Sequence, residues 1–334
     1  MATSGEQPIY TPAQLRQYFD YIHVPEHTWP DLESPSPTLP FLSLLIRHQL
    51  SHIPFENLDL HYSPHRTVSL DPDHLFHKVI TRSAGRGGYC MQNNSFFATI
   101  LRSLGYSVTS VGARVSADFT SENPSFTGWS HQVNLITLAG QRYLVDVGFG
   151  SDGPTFPVPL VEGYTRYLTG TETQSVTSAC LTREILGQST AAATTTTNTA
   201  NSTDQRLWMY KVRYDHQKSD TETPKFKPKY CFTELEFFPQ DFAIMNHHVS
   251  TSRTSMFVNT LICMKLLPSE DYTEIIGDVT LWGVDIKERR MGVARPLAEI
   301  GSEEARVEAL RRYLGVKLAS EEVAGIRGLP TEVR

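Results

Sequence analysis

Two hydrophobic patterns divide the chain, a helical one up to about residue 104 and an alternating one after it. Apolar residues recur at helical spacing after Thr11-Pro12, over residues 39–50 and after Asp71-Pro72, and a capping residue followed by proline is typical of a helix start. The buried faces would consist of Leu15, Tyr18, Phe19 and Ile22 in the first helix and of Leu75, Phe76, Val79 and Ile80 in the third. These segments predict a small helical bundle.

A glycine-rich turn precedes a fourth helical segment. Residues 86–94 read Arg-Gly-Gly-Tyr-Cys-Met-Gln-Asn-Asn, and apolar helical spacing then continues from Gln92 to Leu104, before Gly105. Cys90 is therefore expected at a helix N-terminus, where free backbone N–H groups and the helix dipole favour a thiolate over a thiol. A cysteine in this position is a candidate nucleophile, and a buried structural thiol is the alternative.

Beyond Gly105 the apolar residues alternate, as they do in strands. Residues 109–115 form one such run, and residues 130–138 and 141–147 form two more, which Ala139-Gly140 would join as a two-residue hairpin with Leu138 opposite Gln141. In that register His131 and Asp146 are diagonal neighbours on one face, roughly 7–8 Å apart at the backbone. Asp146 interrupts an apolar run, and a buried carboxylate requires a partner. The pair is either catalytic or a satisfied pair in the core.

The bulk properties narrow the function classes. The net charge of −6 and the pI near 6.1 favour neither nucleic-acid nor membrane-surface binding, and no signal peptide or membrane-spanning stretch is expected. The four cysteines are too far apart for a disulfide framework or a CxxC zinc site, which favours a reducing, cytoplasmic setting. The histidine pairs 61/65 and 74/77 lack completing ligands, so no metal site is predicted.

The last part of the chain is less regular. Residues 188–204 form an Ala/Thr-rich low-complexity stretch, which predicts a mobile surface insertion and a domain junction near residue 205. Beyond it, residues 208–214 and 280–285 are predicted strands, and residues 302–314 are a predicted helix that begins with acidic residues and ends before Gly315.

Cys90, His131 and Asp146 are the parts of a cysteine triad. The imidazole takes the thiol proton, and the carboxylate orients the ring and stabilises its cation. This chemistry suits acyl transfer, and either water or an amine can accept the acyl group. The residues alone therefore allow a hydrolase and a transferase.

Five motifs in order resemble those of the arylamine N-acetyltransferases. The 86–94 stretch resembles the active-site motif of that family, and four further stretches match it: Ile-Pro-Phe-Glu-Asn-Leu at 53–58, Thr-Gly-Trp-Ser-His at 127–131, Val-Asp-Val-Gly-Phe-Gly-Ser at 145–151, and Asp-Phe-Ala-Ile-Met-Asn at 241–246, followed by Ser-Thr-Ser at 250–252. The resemblance covers residues 10 to 265 and identifies the chain as a eukaryotic-type member with an inserted Ala/Thr-rich loop. It implies an α+β, cysteine-proteinase-like architecture of three domains: a helical bundle at 1–88, a β-barrel-like domain at 89–205 and an α/β lid at 206–334.

The resemblance also implies roles for individual residues. Cys90 would take an acetyl group from acetyl-CoA and pass it to an arylamine or arylhydrazine in a ping-pong reaction, a cytoplasmic detoxification of xenobiotics, with His131 as base and Asp146 as its orienting partner. Positions that match coenzyme A contacts are Thr127, Gly128, His248, Thr254 and Ser255, although the family often has tyrosine where His248 stands. Positions that match substrate contacts are Phe55, Phe149 and Ser151. Glu56 would pair with Arg86 as a supporting contact, whereas without the resemblance the 53–58 stretch is equally compatible with a surface loop.

Three alternatives remain open from the sequence. Malonyl-CoA or propionyl-CoA is the first alternative to acetyl-CoA, and Arg114 and Arg253 are the candidate cations for a malonyl carboxylate. A cysteine hydrolase of the transglutaminase-like or papain-like type is the second. A non-catalytic binding module is the third. The oligomeric state is unknown.

Overall fold

Four helices in the first part of the chain form the predicted bundle. The computed structural model describes residues 9–170, 175–186, 205–215 and 224–333, so the low-complexity residues 188–204 lie outside the described part. The helices are α1 Pro12–Tyr21, α2 Leu39–His52, α3 Pro72–Phe76, which continues through a π-helical turn His77–Thr81, and α4 Cys90–Ser103. A two-residue strand, β1 Phe55–Glu56, lies between α2 and α3. Thr11 and Asp71 cap α1 and α3 with their side chains, as the proline that follows each of them predicts.

The buried faces of these helices meet in one core. Tyr18, Leu45 and Phe97, from three different helices, are all 0% exposed there. Ile136 and Leu266 from later strands belong to the same cluster, so the bundle packs against both sheets described below. Within the described residues no helix combines the length and the apolar composition that crossing a membrane requires.

An eight-stranded antiparallel sheet follows the bundle. Its strands are β2 Ser107–Val115, β3 His131–Leu138, β4 Gln141–Val145, β5 Val158–Pro159, β6 Thr165–Gly170, β7 Ser175–Glu184, β8 Leu207–Tyr214 and β9 Lys227–Glu236. They lie in the order β5-β4-β3-β2-β9-β8-β7-β6. The hairpin β3–β4 has the predicted register, Leu138 opposite Gln141, because Ala139 and Gly140 both take positive φ angles, 47° and 80°, as a tight two-residue turn demands.

The strand pairing corrects the predicted boundary at residue 205. β8 and β9 fall in the segment predicted as the lid, yet β8 pairs with β7, and β9 pairs with β8 and β2. The eight-stranded sheet therefore continues to Glu236, and residues 188–204 stand in the sequence between two paired strands. The boundary at residue 88 is corrected too, since α4 packs in the core of the bundle through Phe96 and Phe97.

A five-stranded antiparallel sheet and the remaining helices form the last layer. Two helices, α5 Pro239–Thr251 and α6 Met256–Asn259, lead into β10 Ile262–Pro268, β11 Ile275–Trp282, β12 Asp285–Arg290 and β13 Val293–Ala298. The order is β1-β10-β11-β12-β13, so a strand from the amino-terminal part closes one edge. α7 Glu303–Ala309, which ends in a π-helical turn Leu310–Leu314, packs on one face of this sheet, and α8 Ser320–Ala324 follows.

Two predictions in this layer have different outcomes. The helix predicted at 302–314 is confirmed, because the Ser302 side chain caps α7 and Gly315 ends the turn with a φ of 76°. The strand predicted at 280–285 is correct only in part, since residues 280–282 end β11 and Asp285 begins β12. The chain reverses at Gly283, whose φ is 64°, so this segment spans the turn between β11 and β12.

Candidate active site

The Gly87-Gly88 turn brings Cys90 to the start of α4. Gly87 passes so close to Pro54 that a Cβ would lie 2.0 Å from the Pro54 carbonyl oxygen, and no side chain fits there. The Gly88 carbonyl accepts a hydrogen bond from the Glu56 N–H at 3.0 Å, which ties the turn to β1. Cys90 is the first residue of α4 and is 3% exposed, so its predicted placement at a helix N-terminus is confirmed.

A cluster of charged side chains lies behind this turn. This charge cluster consists of Glu56, Asp59, Lys78, Arg82, Arg86 and Glu322. Arg86 connects its acids: Nε lies 3.1 Å from Glu56 Oε1, Nη2 lies 2.6 Å from Asp59 Oδ1, and Nη1 lies 3.2 Å from Glu322 Oε1. Glu56 Oε1 also accepts a hydrogen bond from the Gly87 N–H at 3.3 Å.

Burial decides between the two interpretations of the 53–58 stretch. Glu56 is 0% exposed and Arg86 is 2% exposed, so this stretch is not a surface loop. Burial raises the pKa of Glu56, but the guanidinium of Arg86 and the ammonium of Lys78 more than compensate and hold it below its ordinary value. The expected Glu56–Arg86 pair thus exists as an ion pair, and its supporting role in activity stays a prediction.

His131 and Asp146 meet as the hairpin register predicts. His131 is the first residue of β3, and Asp146 directly follows β4. The His131 Nε2 and Asp146 Oδ2 atoms are 2.8 Å apart, and both residues are 1% exposed. Nδ1 is therefore the ring nitrogen left free of Asp146. Cys90 lines the same cavity as His131, and its Sγ donates to the carbonyl of the neighbouring Ser130 at 3.7 Å. The structure thus brings Cys90 and His131 to one cavity and pairs His131 with Asp146, which are the parts that a cysteine triad requires.

Opposing effects set the pKa of His131. Burial lowers it, because the cationic ring loses hydration, whereas the charge of the Asp146 carboxylate and its hydrogen bond raise it, and Cys90 adds to the rise. The balance raises the pKa of His131 to about 10. The ring therefore holds its proton at neutral pH.

Asn94 holds the Asp146 carboxylate in place, and the sequence motifs assigned no role to this residue. Its Nδ2 donates to Asp146 Oδ1 at 2.8 Å and to the Gln132 carbonyl at 2.7 Å, and its Oδ1 accepts from the Val147 N–H at 2.9 Å. The residue is 0% exposed. One side chain thus joins the helix that begins at Cys90 to the β3–β4 hairpin that carries His131 and Asp146. It belongs to the 86–94 stretch, but its role depends on contacts that sequence spacing does not reveal.

A cavity of about 780 Å³ opens onto Cys90 and His131. All predicted contacts to coenzyme A and substrate line this cavity: Phe55, Thr127, Gly128, Phe149, Ser151, His248, Thr254 and Ser255. Asp146 lies behind His131, since it is not among the described lining residues. A Cβ on Gly128 would meet no atom within 4 Å, so the backbone there is open to a ligand. The structure brings the predicted residues together, and their individual contacts remain predictions.

The far wall of the cavity comes from strands that the sequence motifs did not mark. Met264, Thr280, Lys287 and Arg289 of β10, β11 and β12 line it, together with Asp152 on the facing side. All but Asp152 fall near or beyond residue 265, where the resemblance to the family ends. The face of the sheet on which their side chains lie follows from the strand pairing, which the sequence motifs do not reveal. Of the two arginines predicted for a malonyl carboxylate, neither is among the described lining residues, and Arg114 instead stacks on the Trp129 ring at 4.1 Å.

Two kinds of candidate group remain, namely the buried cysteines outside the cavity and the possible metal ligands. Burial raises the pKa of Cys231 to about 12 and also raises that of Cys263, so both are ordinary buried thiols. In the part of the chain that the structure describes, no three His, Cys, Asp or Glu side chains are grouped to hold a metal ion.

The chain is similar in sequence to known proteins. A family model described as N-acetyltransferase matches residues 38–323. The N-malonyltransferase FDB2 of Fusarium pseudograminearum (strain CS3096) is 37% identical over 344 residues, 98% of this chain and 94% of that protein. The arylamine N-acetyltransferase 1 of Felis catus is 28% identical over 239 residues, 71% of this chain and 83% of that protein.

The fold agrees as well. The structure of Mycobacterium marinum arylamine N-acetyltransferase in complex with CoA matches this chain with a TM-score of 0.67 at 24% identity, over 93% of this chain and 98% of that one. The predicted fold class, α+β and cysteine-proteinase-like, is therefore confirmed.

Proposed function

Because the chain belongs to the arylamine N-acetyltransferase family, we propose that it transfers an acyl group from a coenzyme A thioester to the nitrogen of an amine, with Cys90 as the covalent carrier. The observation that carries this proposal is the placement of Cys90 and His131 at one wall of a 780 Å³ cavity, with Asp146 hydrogen-bonded to His131 behind that wall. The family match favours this reaction over a cysteine hydrolase and over a non-catalytic binding module.

In the first half-reaction Cys90 becomes acylated. The thiol proton is held on His131, whose Nε2 is bound to Asp146, and the sulfur attacks the thioester carbonyl. The carbon–sulfur bond to coenzyme A breaks, and the coenzyme A thiolate takes the proton from the imidazolium. His131 suits this donation because its ring is protonated at neutral pH.

In the second half-reaction an amine takes the place of coenzyme A. Its nitrogen attacks the carbonyl of the acyl-cysteine, and the neutral His131 left by the first step accepts the proton that the nitrogen loses. The carbon–sulfur bond to Cys90 breaks and the amide leaves. Phe149 lies edge-on to His131, with ring centroids 5.3 Å apart, and is proposed to wall the acyl group and the aromatic acceptor together with Phe55.

One end of the cavity suits the coenzyme. Thr127 and Gly128 face α5 and the segment after it, where His248, Thr254 and Ser255 supply polar side chains along the cavity. The open backbone at Gly128 would let the pantetheine arm lie against it. These residues are proposed to hold the donor and to direct its thioester toward Cys90.

For the donated acyl group we favour malonyl. The relative that matches nearly the whole chain at 37% identity is named an N-malonyltransferase, whereas the feline arylamine N-acetyltransferase matches 71% of the chain at 28%. Acetyl-CoA, the donor predicted from the sequence, is the second candidate and is supported by the family as a whole. The proposed acceptor is an arylamine, and a cytoplasmic detoxification role stays a prediction.

Intact-mass spectrometry tests the carrier and the donor together. The purified protein is mixed separately with malonyl-CoA, acetyl-CoA and propionyl-CoA, with Cys90→Ala as the control. We expect an adduct on the wild type whose mass identifies the acyl group and which disappears when an arylamine is added. An adduct from acetyl-CoA alone would replace malonyl by acetyl as the donor. No adduct from any donor would refute acyl transfer through Cys90.

A further inference from the structure

One face of the five-stranded sheet forms the cavity wall that runs away from the nucleophile. Its strands place four cavity-lining residues opposite one another in a single row: Phe55, Met264, Thr280 and Lys287. Phe55 begins the row and pairs with Gly88, two residues before Cys90. Three strand spacings separate the ends of the row, roughly 14 Å. Lys287 therefore marks the end of the cavity wall that is distant from Cys90.

Arg289 lies beside Lys287 on the same face. It is two residues further along β12, it stands opposite Asp278 of β11, and it also lines the cavity. Its Nε is 3.5 Å from Asp278 Oδ2, and its side chain is 32% exposed. Among the described residues no carboxylate lies within ion-pair distance of Lys287. Asp278 is therefore the one carboxylate among the described residues that forms an ion pair with either of these two cations.

The opposite wall of the cavity does not balance the positive charge of Lys287 and Arg289. Asp152 lines the cavity opposite, but its Oδ2 is 2.8 Å from Lys229 Nζ and accepts a hydrogen bond from the Tyr214 hydroxyl at 2.6 Å. Lys229 is 1% exposed, so this lysine neutralises Asp152 inside the wall. Across both walls three cations thus face two carboxylates, which leaves one positive charge in excess at this end of the cavity.

We propose that Arg289 and Lys287 form a carboxylate-binding subsite in the transfer cavity. A guanidinium can bind a carboxylate through two parallel hydrogen bonds, and an ammonium beside it adds charge. The inference rests on the proposed acyl transfer through Cys90, because the anion is a part of one of the two substrates.

The position of the subsite favours the acceptor as the source of this carboxylate. The free carboxylate of a malonyl group is only two bonds from the thioester carbon, whereas an aromatic ring places a para substituent a full ring length from the attacking nitrogen. A subsite set several strand spacings from Phe55 therefore suits an aminobenzoate-type acid better than a short dicarboxylic acyl group.

Four substrate combinations separate the two sources. Acetyl-CoA and malonyl-CoA are each paired with 4-aminobenzoate and with its methyl ester, which lacks the charge. Arg289→Gln, Lys287→Gln and the double variant are compared with the wild type. Arg290→Gln is the matched control, because its side chain leaves the same strand on the other face and lies 3.0 Å from Glu288.

We expect kcat/KM for acetyl-CoA with 4-aminobenzoate to fall roughly 10- to 100-fold in Arg289→Gln, mostly through KM, while the methyl ester is unaffected. A loss confined to malonyl-CoA, with either acceptor, would confirm the subsite and assign it to the acyl group. An equal loss in all four combinations would overturn the proposal, because the cations would then serve coenzyme A or the fold. No loss in any combination would overturn it as well.

Equilibrium binding separates failure of the subsite from failure of the transfer reaction. In a Cys90→Ala background no acyl transfer is possible, and calorimetry measures the Kd of 4-aminobenzoate and of malonate directly. Weaker binding of either acid after Arg289→Gln supports the subsite even if the wild type forms no acyl adduct. Unchanged Kd values for both acids would refute the subsite and leave the proposed function untouched.

Discussion

Replacing Glu56 by glutamine tests whether the charge cluster holds the nucleophile's turn in place. The carboxylate accepts hydrogen bonds from Arg86 Nε at 3.1 Å, from the Gly87 N–H at 3.3 Å and from the Leu58 N–H at 2.6 Å. An amide of the same size keeps one oxygen acceptor and directs an NH₂ group at another donor. The substitution therefore removes a charge and creates a clash between donors, with little change in volume.

The expected loss follows from the charge balance. The charge cluster has three acids and three bases, so Glu56→Gln leaves one buried positive charge without compensation. Breaking a buried ion pair on one side costs about 3–5 kcal/mol of the free energy of unfolding. Glu322 is the matched control, because it contacts the same Arg86 but its side chain is 18% exposed and water screens it. We expect about 1 kcal/mol for Glu322→Gln.

Urea unfolding and alkylation of Cys90 by iodoacetamide measure the two consequences. The free energy of unfolding should fall by about 3–5 kcal/mol in Glu56→Gln and by about 1 kcal/mol in Glu322→Gln. Under native conditions only Glu56→Gln should change the alkylation rate, because Glu56 alone binds the Gly87 N–H of the turn. Equal losses in both variants, or an unchanged alkylation rate in Glu56→Gln, would refute the role assigned to this carboxylate.

Three further predictions concern the triad. Cys90→Ala should abolish acyl transfer with little change in melting temperature, as an arylamine assay and a thermal scan would show, and a fully active variant would rule out covalent catalysis at this residue. Asn94→Ala should lower kcat at least about tenfold, because it removes a hydrogen-bond donor to Asp146. It should also lower the free energy of unfolding by about 2–3 kcal/mol, because it leaves the buried Val147 N–H unpaired. Single-turnover kinetics at wild-type rates would contradict the first effect. The raised pKa of His131 stabilises the folded state fully below its ordinary value of 6.5, and this contribution is lost as pH rises toward about 10. Urea unfolding should therefore show a steeper decline between these pH values in the wild type than in Asp146→Asn, and equal slopes would exclude the coupling.

The local parts of the site were predictable from the sequence. Short-range backbone preferences determine these parts, so short stretches of sequence predict them. Examples are the two glycines before Cys90, the apolar spacing after it, and the dipeptides Thr11-Pro12 and Asp71-Pro72 at helix starts. The His131–Asp146 contact was predictable for a different reason. A two-residue hairpin leaves only one register, so a single turn determines which side chains meet.

The parts that sequence reasoning missed depend on contacts between distant segments. Asn94 acts through the Val147 N–H and the Gln132 carbonyl, which only the packing of α4 against β3 and β4 brings within reach. The domain boundary predicted at residue 205 rested on the change in composition at the insertion. The hydrogen bonds between β7 and β8 instead join the strands on either side of that insertion into one sheet. The strand predicted at 280–285 was placed across a turn because Trp282 and Val284 continue an apolar pattern on both sides of Gly283, where β11 ends and the chain reverses.

The cavity wall shows how specificity can change without disturbing the triad or the core. Along β10, β11 and β12 alternate residues belong to different environments. Cys263, Leu281 and Ile286 pack into the core beneath the sheet, whereas Thr280 and Lys287 on the other face line the cavity. The triad itself is held by α4 and the β3–β4 hairpin, which are different elements. Under the proposed function, a substitution on the cavity face would alter which acyl donor or amine is accepted, while the core that fixes the sheet and the side chains of the triad stay in place. This separation would allow members of one family to keep a single mechanism and differ in the acyl group that they transfer.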